Sequence, residues 1–369
     1  MKLWLALGVL FWLAVSIGLA HFNVIASDTA VAVFGLGAAF FGTLNVMPFI
    51  IHRMKIQKIA GKDMNKLNKP LVPEMGGTGI LFGFSLGILL VVFLFSFGRR
   101  FIPFSVNLGI LFAGFATILL MGFLGVFDDL IGWKKGIRQY QHALVPLFAA
   151  LPLVAIRAGV TTLALPIFGL VDFGIFYAVI LIPIGVTGAA NAMNMLAGLN
   201  GLEAGLGAII TATLLLLSIL ENQWEAAIIM AALLGALLAF LKFNWFPAKI
   251  FPGDATTLMV GAGVATAAII GNMERLGLLL LALFFVELLF KARNRFQSES
   301  FGVPQKDGTL KAPEKTSSLT HWVMKRGRFT EKQVVLILLG MQALVSLLVL
   351  AYWYLNRIEF FMHGWSWLA

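Results

Sequence analysis

The 369-residue chain contains no cysteine, which excludes disulfides and thiolate metal sites. Histidine is scarce too. Its five copies (His21, His52, His142, His321 and His363) are scattered, without the spacing of zinc ligands. Charge is the third shortage. Only 12% of residues are Asp, Glu, Lys or Arg, about half the share in a soluble globular chain, so a soluble domain is excluded. What fills the chain instead is apolar: 60% of residues are hydrophobic, 33 of them Phe, and the mean hydropathy is +0.94. The 38 Gly and 14 Met suit helices that pack closely in lipid. The fold class expected is all-α, a polytopic helical integral membrane protein.

At about twenty residues per crossing, the apolar runs predict ten or eleven transmembrane helices. They lie near 3–21, 30–51, 79–97, 107–127, 143–157, 173–190, 204–220, 225–242, 255–271, 275–291 and 334–355. No repeat or low-complexity segment divides them, so 1–369 reads as one transmembrane domain whose main soluble piece is the basic loop 292–333. Segment 1–28 carries an additional helix. Lys2 and an apolar run ending in Gly18-Leu19-Ala20 also fit a cleaved signal peptide, but the run is long for one.

The net charge of +10 is unevenly placed. Lys2, the basic residues of 53–69 and 134–138, Lys242, Lys249 and those of 291–332 share one side; Arg99, Arg100, Arg157, Arg275 and Arg357 take the other. The positive-inside rule puts the first side in the cytoplasm of a cell-membrane protein. Because basic residues sit between apolar spans, anionic lipid or an anionic substrate explains them, and no nucleic-acid partner is expected.

Five polar segments on that side carry chemistry. Asp128 and Asp129 end an apolar run at the membrane surface, where carboxylates are costly unless a cation or substrate uses them. With Lys134, Lys135 and Arg138 they suit a phosphate-bearing substrate and Mg²⁺, although a charge-capped helix end would look the same. Segment 61–79, GKDMNKLNKPLVPEMGGTG, holds Asp63, Met64, Asn65, Lys66 and Glu74 between stiff prolines and turn-forming glycines. In 191–203, NAMNMLAGLNGLE, Asn191 and Asn194 share a helical face before Asn200-Gly201 breaks the helix. Those amides fit a nucleobase, a sugar hydroxyl or a metal ion. Segment 244–257 places Asp254 after Pro252-Gly253, beside Lys249 and Phe251; an N-cap aspartate in an aromatic belt is the bland alternative. Last, Arg293 and Arg295 leave the membrane ahead of the basic loop, able to clamp phosphates or bind anionic lipid.

In this order, GKDMNK…PLVPEMGG, FDDLIGWKKG, NAMNMLAGLNGLE and NWFPAKIFPGD resemble the polyprenyl-phosphate N-acetylhexosamine-1-phosphate transferases over about residues 30–350. The chain looks most like their archaeal and eukaryotic UDP-GlcNAc:dolichyl-phosphate branch. The resemblance implies transfer of GlcNAc-1-phosphate from UDP-GlcNAc to a polyprenyl (dolichyl-type) phosphate, releasing UMP and starting lipid-linked N-glycan assembly. It implies Mg²⁺, with Mn²⁺ as substitute, held by Asn194 and Asp254, with Asp128 and Asp129 beside the metal and the attacking phosphate. Lys134 joins this catalytic set. Asn200 and Phe251 would take the uracil, with Met64 on the pocket wall and Asn65 and Lys66 beside it; Glu74 and Asn191 would line the nucleotide-sugar cleft, and Arg293 and Arg295 the diphosphate or sugar. Related enzymes often form homodimers.

The chain departs from the family at Gln141-His142, where many members have Lys, and at Asn294, where relatives often have His. Its first span also looks additional. Direct attack by the ionised lipid phosphate is favoured, and a covalent aspartyl intermediate stays open. Undecaprenyl phosphate or another UDP-HexNAc is the nearest alternative; a transporter or scramblase is the alternative of another class. Charge gathered at one face rather than mid-bilayer argues against the latter.

Overall fold

The structure is a computed structural model that describes residues 2–21, 26–98, 105–131, 146–165, 168–297 and 299–363. Helix α1 (Lys2–His21) lies along α2 (Ser27–Gln57), where the Trp12 indole N–H donates to the Val33 carbonyl at 2.7 Å. A short hairpin, β1 (Ala60–Lys62) with β2 (Leu71–Pro73), leads to α3 (Gly77–Gly98) and α4 (Leu108–Ile131). Then come α5 (Pro146–Ala149), α6 (Leu151–Ala155), a second hairpin of β3 (Thr162–Leu165) and β4 (Gly169–Asp172), and a π-helical turn at Tyr177–Leu181 that runs into α7 (Ile182–Met195). Helices α8 (Leu202–Leu220), α9 (Trp224–Asn244), α10 (Asp254–Ile270), α11 (Glu274–Leu280) and α12 (Ala282–Arg293) follow. A three-stranded sheet of β5 (Val303–Pro304), β6 (Thr309–Lys311) and β7 (Phe329–Thr330) encloses α13 (Leu319–Met324) and precedes α14 (Glu331–His363).

Among the described residues, seven helices are long and apolar enough to cross a membrane: α2, α3, α4, the helix from Tyr177 to Met195, α8, α9 and α14. The protein is therefore a polytopic helical membrane protein, and the strands among the described residues are short ones in connections. The span expected near 255–271 is α10, an apolar helix of 17 residues. Two other expected spans differ. The stretch expected at 143–157 shows two short helices in its described part, with Pro146 and Pro152 removing backbone donors. The stretch at 275–291 breaks at Leu281 into α11 and α12. A broken helix in lipid needs partners for its freed backbone groups. Here buried Gln342 of α14 supplies one, donating to the Leu280 carbonyl at 3.0 Å.

Two helices make the centre. α9 packs against α2, α3, α8 and α10, while α10 packs against α4, α7, α8 and α9. Residues 255–270 of α10 are all buried, apolar or small on every face, as a helix enclosed by others must be. At Gly261 a β-carbon would fall 2.3 Å from the Ala189 carbonyl of α7, so only glycine allows that approach. Away from the site, polar ties join the helix ends of the opposite face: Glu225 accepts from the Asn107 N–H (2.6 Å), Arg357 pairs with Glu221 (2.7 Å), and Arg275 donates to Tyr352 (3.0 Å) and to the Ala164 carbonyl (2.6 Å).

Candidate active site

On one face of the bundle the ends of α4, α7, α9 and the starts of α8, α10 and α14 meet the β1–β2 hairpin. The turn before α10 adds itself to that hairpin like a strand. Phe251 N–H donates to Pro73 O (2.7 Å), Gly76 N–H to Phe251 O (2.9 Å) and Gly77 N–H to Pro252 O (2.7 Å). This brings Glu74 and Met64 to the same cleft as Phe251 and Asp254.

Asp129, in the last turn of α4, accepts the Asp254 N–H through Oδ1 at 2.9 Å, and so satisfies an orphan donor at the start of α10. Gly253 between them has φ +71°, and a β-carbon there would lie 2.4 Å from Asp129 Oδ2. That Oδ2 is buried with no protein donor against it, and the adjacent Asp128 is buried as well. Near the end of α7, Asn194 Oδ1 faces the Thr257 hydroxyl at 2.9 Å. The same hydroxyl is 3.1 Å from the Asp254 carbonyl, so one proton serves two acceptors.

The 198–203 turn forms the facing wall. Gly198 (φ +103°) and Gly201 (φ +84°) take conformations that favour glycine. Gly198 N–H donates to Glu203 Oε1 (2.7 Å) and Gly201 N–H to Asn244 Oδ1 (3.1 Å). Asn200 donates its backbone N–H to Glu331 Oε1 (2.8 Å) and its side-chain amide to Asp63 Oδ2 (3.1 Å). Asn65 is spent on the backbone, donating to Gly198 O (2.9 Å) and accepting from Gly302 N–H (3.1 Å). The Phe301 ring covers Gly198 and reaches the cleft. Its carbonyl accepts from His321 Nε2 (2.9 Å), which leaves Nδ1 to accept from the Ser317 hydroxyl (3.2 Å). Burial, helped by Lys291 and Lys325, holds the His321 imidazole below its ordinary pKa.

These walls enclose a cleft of ≈ 240 Å³. Of the residues predicted from sequence, Met64, Glu74, Asn194, Asn200, Phe251 and Asp254 line it, and Asp129 braces it through Gly253 and Asp254. Asn65 and Lys66 stand behind the wall; Asn191 donates to Thr187 O of its own helix (2.9 Å) and does not line the cleft. Arg293 and Arg295 are exposed outside it. Lys134 lies outside the described residues. Sequence reasoning assigned no role to Asp63, Glu203, Asn244, Thr257 or Phe301, all of which line the cleft. Glu203 stood in the NGLE string and Thr257 one turn after Asp254, so both were within reach. Phe301, one of several aromatics in the basic loop, carried no signal.

Among the described residues no three Asp, Glu or His side chains form a protein-only metal cage. The donors gathered at the start of α10 are all oxygen: Asp129, Asp254 and the Asn194 amide. Such a set fits a hard cation that completes its shell with water and phosphate. The unpartnered Asp129 Oδ2 is consistent with that fit.

A helical membrane body with an oxygen-lined cleft at one face fits an integral-membrane enzyme that acts on phosphorylated substrates. Residues 111–272 match the model for glycosyl transferase family 4. A Saccharolobus solfataricus protein, provisionally named UDP-N-acetylglucosamine–dolichyl-phosphate N-acetylglucosaminephosphotransferase, is 38% identical over 312 residues, covering 84% of this chain and 93% of its own. A Sulfolobus acidocaldarius protein of the same provisional name is 36% identical, covering 85% and 93%. A phospho-N-acetylmuramoyl-pentapeptide-transferase of Desulforudis audaxviator is 28% identical, covering 69% and 80%. The chain belongs to glycosyl transferase family 4.

Proposed function

We propose that this membrane enzyme transfers N-acetylglucosamine-1-phosphate from UDP-N-acetylglucosamine to a polyprenyl phosphate of the dolichyl type. An oxygen of the lipid phosphate attacks the phosphorus that bears the sugar. The bond from that phosphorus to the bridging oxygen breaks, and UMP leaves with the electron pair. The products are UMP and polyprenyl-diphosphate-N-acetylglucosamine, the starting unit of a lipid-linked glycan. An ionised lipid phosphate is already a nucleophile, so positioning and charge neutralisation carry the catalysis.

The observation that carries this reading is the junction of Asp129, Asn194 and Asp254 at the amino end of α10. Helix starts attract anions, yet here carboxylates crowd one. A diphosphate can sit beside them only with a cation between. Asp129, Asp254 and Asn194 would hold Mg²⁺, with Mn²⁺ as substitute, which would supply charge neutralisation at the diphosphate and the leaving UMP. Asp128 is assigned to the neighbourhood of the attacking phosphate. Phe251 and Phe301 offer aromatic faces to the uracil, with Asn200, Met64 and Glu74 around the nucleotide. Arg293 and Arg295, exposed beyond the cleft, remain candidates for contacts to the diphosphate or the sugar, and Lys134 for the catalytic set. The basic side, which carries the site, is assigned to the cytoplasm of the cell membrane, and pairing of two copies belongs to the same reading.

The greater identity to the two N-acetylglucosamine-phosphate relatives than to the muramoyl-pentapeptide relative favours this donor. The test is UMP release by purified protein given UDP-N-acetylglucosamine and a polyprenyl phosphate, with Mg²⁺ or with EDTA. Release that needs both lipid and metal supports the proposal. Absence of UMP from folded protein, across UDP-N-acetylhexosamines and lipid lengths, overturns it.

A further inference from the structure

Behind the nucleotide wall lies a polar ring, three of whose four members are buried. Lys66 forms an ion pair with Glu331, lies 3.4 Å from Asp63 Oδ2, and sits over the Phe246 ring with Nζ 4.2 Å from its centre. Asn200 closes the ring, taking Glu331 through its backbone N–H and Asp63 through its side chain. Asp63, Asn200 and Glu331 are each 5% exposed or less. Asp63 and Asn200 line the cleft; Lys66 and Glu331 do not. The members come from three separate parts of the chain: the loop of the β1–β2 hairpin, the turn into α8 and the first residue of α14.

Charge explains why the ring holds one shape. Asp63 and Glu331 repel each other in a buried setting, and the single ammonium of Lys66 between them offsets this. Glu331 divides its work, one oxygen on Lys66 and the other on the Asn200 backbone. The amino end of α14 is itself anchored, since Thr330 and Gln333 exchange hydrogen bonds across its first turn in a capping box. Glu331 therefore offers a fixed reference point, and Lys66 carries it to the hairpin loop.

We propose that Lys66 and Glu331 are positioning residues, which preset Asn200 and Asp63 for the nucleotide half of the donor substrate without touching it. The inference rests on the transferase reading for the identity of that substrate. Its consequence is a division of kinetic effects. The ring shapes the nucleotide wall, whereas the Asp129–Asp254–Asn194 junction faces the reacting phosphates. Disturbing the ring weakens donor binding and spares the chemical step.

The test measures UMP release and, separately, UDP binding by calorimetry on the full-length protein in detergent. Lys66→Met should raise the KM for UDP-N-acetylglucosamine and the Kd for UDP by about tenfold or more, with kcat within about threefold and the KM for lipid phosphate unchanged. Removing both charges in Lys66→Met/Glu331→Gln should recover part of the loss, because the two carboxylates no longer face each other uncompensated while the glutamine oxygen still accepts from Asn200. If Lys66→Met does not fold, Glu331→Gln and the double variant carry the same comparison. Unchanged donor KM and UDP affinity in folded variants, or a fall in kcat alone, overturns the positioning role. Wild-type protein that neither binds UDP nor releases UMP overturns the transferase reading instead.

Discussion

Gly125→Ala tests whether the contact between α4 and α10 sets the catalytic geometry. Gly125 lies one turn before Asp129 on α4, and a β-carbon there would fall 2.3 Å from Ala255 Cα, 2.4 Å from Ala255 N and 2.7 Å from Asp254 C. All three are backbone atoms at the start of α10, so no side chain can swing aside. Carbon contacts settle near roughly 3.5 Å, and α4 must retreat by about 1 Å. The bond from Asp254 N–H to Asp129 Oδ1, now 2.9 Å, then stretches beyond hydrogen-bonding reach. Overpacking of this kind costs about 1–3 kcal/mol of stability. Displacing a catalytic group by about 1 Å can cost on the order of 100-fold in rate. We expect kcat for UMP release to fall 10- to 100-fold, with donor KM nearly constant. The control is Gly122→Ala on the same helix, whose β-carbon would have side-chain atoms of Leu81 and Met259 as its three nearest neighbours, the nearest at 2.7 Å. Those can rotate away, and activity should stay within a few-fold of wild type. A Gly125→Ala enzyme with full kcat, or a Gly122→Ala enzyme equally damaged, refutes the reasoning.

Thr257→Val keeps the shape of the side chain but removes the hydroxyl shared by Asn194 Oδ1 and the Asp254 carbonyl. A loss of about 1.4 kcal/mol there would lower kcat about tenfold, and a steady-state UMP assay at saturating substrates would read it. Gln342→Leu deprives the Leu280 carbonyl of its donor inside the bundle; a stability loss of about 1 kcal/mol is expected, seen as a lower Tm in detergent with kcat preserved. His321 is held below its ordinary pKa, so its unfolded form takes up the proton first and folding stability falls as pH drops below about 6.5. His321→Gln should make the Tm-against-pH curve flatter between pH 7 and 5, and an equally steep curve would count against this account.

Much of the architecture was legible because lipid allows few solutions. A helix that must satisfy its own backbone and face hydrocarbon shows itself as a long apolar run, and α2, α3, α4, α8, α9 and α14 stand close to where those runs lie. The break at Leu281 was not legible, since the residues around it are as apolar as any span; Gln342, some sixty positions away, makes it tolerable. Short polar strings likewise announced Asn194, Asn200 and Asp254, because their chemistry is out of place at a membrane surface. Lys66, which the family resemblance puts beside the nucleotide pocket, stands behind the cleft wall and pairs there with Glu331. Its carboxylate partner Glu331 begins a helix 265 residues later.

The order of residues alone therefore determined the membrane class, the side on which charge collects and the kinds of donor available there, since each follows from local hydropathy and side-chain type. Tertiary structure decided which of those donors share a cleft. Asp129 meets the Asp254 N–H across 125 positions, and Asn200 meets Asp63 across 137. The first pairing depends on how closely α4 and α10 approach, a distance set by packing at Gly125, where a single β-carbon would push the helices apart, while the second depends on the loops that Lys66 and Glu331 tie together.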